Sequence, residues 1–187
     1  DLKGHLFISL DLLASSLENL KALECLTLKL GDHMMLEEFR ESSVNDFLDM
    51  ELEGFPLILE SSLKKLKNLK VLDLELHRAK WNPQGVEAFM KGLESLKNLN
   101  SLTLDFKQAS GLEESHVVSI LNSISNLENL NVLRLAGTCW ITKDLPSFKV
   151  FKSVKLLGFD FSNAEHVRNG VKFNDEGLTI IGKDRKS

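Results

Sequence analysis

Between Leu93 and Phe106 the apolar positions are Leu93, Leu96, Leu99, Leu102, Leu104 and Phe106, three apart at first and then two. A step of three lies close to the helical period, and a step of two is the period of a strand. The same six-point pattern occupies Leu63, Leu66, Leu69, Leu72, Leu74 and Leu76. It also occupies Leu17, Leu20, Leu23, Leu26, Leu28 and Leu30. A further copy runs through Ile124, Leu127, Leu130, Leu133 and Leu135 to Gly137, and a degraded one through Phe148, Phe151, Val154, Leu157, Phe159 and Phe161. Five copies make a repeat the dominant signal of the chain.

The repeat extends upstream of each copy. Val86, Phe89, Met90, Leu93 and Leu96 recur as Val117, Ile120, Leu121, Ile124 and Leu127, a single apolar helix stripe in both places. Asn82-Pro83 reads as an N-cap followed by a proline in the first turn, and Glu113 and Glu114 suit a helix N-terminus. Each unit is therefore expected to be helix, turn and strand, with a helix ending near Lys97-Asn98 and a strand over 101–106. Neither element can bury its apolar face alone, so the units should stack, strands pairing into a parallel sheet with helices across from it. Residues 6–12 and 177–182 alternate like additional strands. The polar end, 183–187, would blunt the last edge. No amphipathic stretch precedes Leu6, so a missing segment or a partner should cover the first edge.

Leu69-x-x-Leu72-x-Leu74, Leu99-x-x-Leu102-x-Leu104 and Leu130-x-x-Leu133-x-Leu135 resemble leucine-rich repeats, and the long helix-bearing units resemble the ribonuclease-inhibitor-like subclass. The resemblance spans roughly Leu6 to Ile181. It implies an α/β solenoid with a parallel β-sheet on the concave face, helices on the convex face, and a concave protein-binding surface. The family places Asn or Cys three residues after the last motif leucine; here those positions hold Gly31, His77, Lys107, Thr138 and Ser162. The usual asparagine ladder is therefore expected to be absent. The strands instead gain an apolar residue at Leu30, Leu76, Phe106 and Phe161, which should prolong pairing.

With 187 residues, 43% of them hydrophobic, residues 1–187 suit one domain. An irregular acidic insertion at about 35–54 interrupts it, with seven acidic residues and one basic between Glu37 and Glu53. That stretch reads as an enlarged convex segment or as a docking element for a basic partner. The chain starts without Met, which fits an N-terminus that is processed, trimmed or cut from a longer chain. A formal net charge of -4 argues against a general nucleic-acid or anionic-membrane binder, and no apolar run is long enough to span a bilayer. Two distant cysteines, Cys25 and Cys139, fit a reducing, cytoplasmic setting better than a disulfide-stapled domain.

Catalytic constellations are missing. His5, His33, His77, His116 and His166 are scattered without metal-ligand spacing, and no phosphate loop, nucleophile elbow or dinucleotide fingerprint occurs. Neither enzyme activity nor a cofactor is expected. Trp81 and Trp140 should pack beneath loops, and Met34-Met35 should fill core.

Alternation defines the outward residues. If Leu72, Leu74 and Leu76 point inward, Val71, Asp73 and Glu75 point to the concave side. Three columns across the strands follow: Cys25, Val71, Ser101, Val132, Leu156; Thr27, Asp73, Thr103, Arg134, Gly158; and Lys29, Glu75, Asp105, Ala136, Asp160. The expected contact residues for a partner protein are Thr27, Lys29, Val71, Asp73, Glu75, Thr103, Asp105, Val132, Arg134 and Asp160. Asp73, Glu75 and Asp105 would favour a basic segment of that partner. Two alternatives stay open: an architectural subunit contacting through its ends and convex face, and a GTPase-activating regulator using Arg78 or Arg134.

Overall fold

The computed structural model describes residues 15–30, 55–77, 79–137, 151–160 and 179–182. Six strands form one all-parallel sheet: β1 (Cys25–Leu30), β2 (Val71–Leu76), β3 (Ser101–Asp105), β4 (Val132–Ala136), β5 (Leu156–Asp160) and β6 (Thr179–Gly182). Their order in the sheet is their order in the chain. Among the described residues, 15–18 are helical ahead of β1, and three longer helices follow: α1 (Phe55–Lys65) before β2, α2 (Pro83–Glu94) before β3 and α3 (Glu114–Ser125) before β4. The molecule is thus an α/β fold on a parallel sheet. The strand expected at 6–12 and the acidic stretch 35–54 lie outside the described residues.

Register follows the leucines. Leu26 faces Leu72, Leu72 faces Leu102, Leu102 faces Leu133, and Leu133 faces Leu157. Leu72, Leu74, Leu102, Leu104, Leu133 and Leu157 are fully buried, in one cluster with Leu63, Phe89, Leu93, Ile120 and Leu121 from the helices. The helix stripe and the inward strand positions therefore share a single interior. Each buried leucine side chain contributes about 1.5–3 kcal/mol, and most of that gain needs the next unit to cover it. Where α1 meets α2, Gly92 permits the approach: a Cβ there would lie 3.1 Å from Leu63 Cδ1 and 3.3 Å from the Glu60 Cα.

Helix starts match their local chemistry. Asn82 caps α2 by accepting from the Gly85 N–H at 2.7 Å. At α3 the Glu113 N–H donates to His116 Nδ1 at 3.2 Å, which gives His116 a capping role. Trp81 is buried against Phe89 and Phe106, at ring centroid distances of 5.3 and 5.1 Å, so it packs under its loop as expected. Its backbone N–H donates to the Ser110 carbonyl at 2.9 Å, and Gly111 follows with φ +77°. A Cβ at Gly111 would sit 2.0 Å from the Trp81 carbonyl oxygen, so only glycine fits that seam.

An asparagine ladder exists at another place than the usual one, in the turns before β2, β3 and β4 rather than after a strand. Asn68 donates to the Lys21 carbonyl at 3.0 Å, Asn98 to that of Lys67 at 2.9 Å, and Asn129 to that of Lys97 at 2.8 Å. At the next turn the Ser153 hydroxyl donates to the Leu127 carbonyl at 3.2 Å. The main chain repeats as faithfully: one carbonyl accepts two successive N–H groups from the following unit at Glu24, Lys70, Asn100 and Asn131. Turn amides that would otherwise face water unpaired are thus tied from unit to unit. Among the described residues, the extra apolar residue lengthens pairing only between β1 and β2, where Leu30 faces Leu76. β3 stops at Asp105, and the Phe106 N–H still reaches the Ala136 carbonyl at 2.9 Å.

Candidate functional site

Helices occupy one side of the sheet, and the other side carries the residues that alternate with the buried leucines. Cys25, Val71, Ser101, Val132 and Leu156 stand in register, as do Thr27, Asp73, Thr103, Arg134 and Gly158, and Lys29, Glu75, Asp105, Ala136 and Asp160. All three expected columns are therefore present. The pleat enforces this, because parallel pairing without a bulge keeps every second residue on one face. Cys25, Thr27, Lys29 and Arg134 are exposed; Val71, Asp73, Glu75, Thr103, Val132 and Asp160 are half-buried.

Asp105 departs from the expectation that it stands open beside Asp73 and Glu75. It is buried, with only 8% of its surface exposed, as is its column neighbour Ala136. β3 ends there, and the turn folds back: Asp105 Oδ1 accepts from the Lys107 N–H at 3.1 Å and lies 3.3 Å from His77 Nε2. Lys107 Nζ meets Asp105 Oδ2 at 2.9 Å and Asp160 Oδ2 at 3.6 Å. The small Ala136 between them lets the lysine reach from the end of β3 to β5. Its ammonium is held above the ordinary lysine range, chiefly by the Asp105 hydrogen bond and against a smaller desolvation effect. Asp105 and Asp160 are thus engaged within the molecule. His77 and Lys107 were not expected to contribute here, since alternation is silent beyond a strand's end. The signal available was that both occupy the same position of the repeat.

Glu75 is likewise engaged. Lys29 of β1 lies directly opposite and forms an ion pair with it, which raises the Lys29 pKa. That pair was already implicit in the column, and it removes much of the negative character expected of this face. Asp73 is the exception. It makes no ion pair among the described residues, and its Oδ1 is enclosed without a hydrogen-bond partner. Burial, then the neighbouring Glu75 charge, push its carboxyl above the usual range; Lys29 and Arg134 offset this in part. Flanked in register by Thr27 and Thr103, Asp73 is the unneutralised acid at the centre of the face.

The described residues hold no group of three or more His, Cys, Asp or Glu side chains suited to a metal, and no helix among them is long and apolar enough to cross a membrane. Arg78, Cys139 and Trp140 lie outside the described residues. What the face offers is a half-buried apolar and small-residue column beside a threonine column, with one carboxylate exposed to neither water nor cation in full.

The fold and face define an α/β protein whose parallel strands follow one another in chain order. No protein-family model matches the chain, and no curated protein matches it.

Proposed function

We propose that this chain is a non-catalytic protein-interaction module, a leucine-rich-repeat solenoid of the ribonuclease-inhibitor-like kind that binds another protein through the concave, open face of its sheet. Chain-order strands, a shared leucine interior and helices confined to the other side support the architecture. The observation that carries the binding role is Asp73. A carboxylate kept partly from water, without an ion pair, and set between two threonines is a costly arrangement in the free molecule. A lysine or arginine from a partner would supply the missing charge, with Val71 and Val132 giving apolar contact alongside. Thr27, Thr103, Arg134 and the Lys29–Glu75 pair would border that contact and set its orientation.

Relative to an all-acidic face, this reading shifts weight from Asp105 and Asp160 to Asp73. It needs no cofactor. The free, exposed thiol of Cys25 fits a reducing, cytoplasmic compartment.

The test is comparative capture from source cells. A photo-crosslinking side chain at Val71 and one at Glu87, on the helical side, are compared by mass spectrometry. The double variant Asp73→Lys, Glu75→Lys is run alongside. A partner crosslinked from position 71 and lost in the double variant supports the reading. Crosslinks confined to position 87, or capture unchanged by both reversals, would remove the face from consideration.

A further inference from the structure

We infer that the edge where each helix turns into its strand is a second docking surface, built for an acidic polypeptide segment. The residue after Leu20, Leu66, Leu96, Leu127 and Phe151 is Lys21, Lys67, Lys97, Glu128 and Lys152. All five are exposed. Lys21, Lys67 and Lys97 form a row because the asparagine ladder runs through their own backbone. The carbonyls of Lys21, Lys67 and Lys97 each accept the side-chain amide of the next unit, so consecutive lysines are pinned one sheet spacing apart, about 4.8 Å. Backbones so spaced keep the lysines on one edge, within reach of a single bound segment.

Several other exposed lysines are neutralised, although Lys65 and Lys155 are exposed and also make no ion pair among the described residues. Lys64 pairs with Glu60 at 2.6 Å, Lys70 with Glu24 at 2.7 Å and Lys91 with Glu87 at 2.7 Å. Lys21, Lys67, Lys97 and Lys152 make no ion pair among the described residues. Among the described residues this edge thus carries four exposed lysines without an ion pair, in a chain of formal net charge -4.

An acidic polypeptide fits this row better than a nucleic acid. Glu128 interrupts it, so it presents a short run of cations rather than the continuous track that a phosphate backbone rewards. Leu20 is the sole large hydrophobic exposed among the described residues, leaving no aromatic platform for bases. Lysine stems are flexible point charges, able to meet carboxylates on an extended chain without the fixed fork geometry of arginine. The row is separate from the open sheet face and stands on different residues.

The experiment measures fluorescence anisotropy of a labelled peptide carrying glutamate at alternate positions, titrated with the full chain at low and physiological salt. A single-stranded oligonucleotide of equal charge is titrated in parallel. The variant Lys67→Gln, Lys97→Gln should weaken peptide binding at least about tenfold. The variant Lys64→Gln, Lys91→Gln, of identical net charge, should change it less than about twofold. Circular dichroism checks that both variants fold. Equal losses in the two variants, no peptide binding at low salt, or tighter binding of the oligonucleotide through the same lysines would each overturn the inference. None of these substitutions touches the sheet face, so the two docking readings fail independently.

Discussion

Asp73 and Asp105 belong to adjacent strands of one face, yet their carboxylates live in opposite circumstances. Asp105 is enclosed by the turn that follows it and accepts bonds from the Lys107 backbone and side chain. Asp73 is partly enclosed with nothing to accept from at Oδ1. Burial raises the folded-state pKa of Asp73, so the folded protein binds its proton more tightly than the unfolded chain does. Above that raised value the charged carboxylate opposes folding. Below the ordinary carboxylate range both states are protonated and the penalty vanishes. Asp73→Thr, which would continue the Thr27 and Thr103 column, should therefore raise Tm at neutral pH. The gain should shrink as pH falls toward about 3. Melting curves of wild type and variant across that range check the sign; a gain that grew on acidification would refute it.

At the scale of elements, the side-chain ladder joins one helix-to-strand turn to the next. Asn98 donates across units to the Lys67 carbonyl, and its loss leaves that bond to water. Asn98→Ala should cost about 0.5–1.5 kcal/mol in urea unfolding, with little change in the far-ultraviolet spectrum. The elements themselves were legible from leucine spacing, since a change of step from three to two marks where a helix gives way to a strand. Register was legible too, because matching leucines such as Leu72 and Leu102 must lie on one side of the sheet. The ladder was harder to see. Asn68, Asn98 and Asn129 recur at one position of the repeat, but expectation fixed on the far end of the strand, where His77 and Lys107 stand. The burial of Asp105 was not legible, since alternation assigns a face but does not report a turn closing over it. Nor did alternation reveal that Lys107, beyond the end of β3, would neutralise Asp105 and Asp160.

For the molecule as a whole, pairing proceeds only between strands consecutive in the chain. Interior units are covered on both sides, whereas β1 and β6 each have one partner strand among the described residues. Stability should therefore be graded along the stack. Hydrogen exchange read by mass spectrometry should protect the amides of β2, β3 and β4 longest, with β1 and β6 exchanging earlier. Uniform protection from β1 to β6 would indicate a single cooperative block instead. The two proposed docking surfaces sit differently on this gradient. Asp73 lies in a doubly covered strand, while the lysine row crosses units of unequal protection.

The matching asparagine bonds at three successive turns carry an implication for ancestry. Excising residues 67–96 would join Leu66 directly to Lys97, and Asn98 would then confront the Lys21 carbonyl that Asn68 now holds. Leu102 would come to rest against Leu26 just as Leu72 does. A gene for such a protein could gain or shed a whole segment by unequal crossing-over with the turn ladder and the leucine register kept in step.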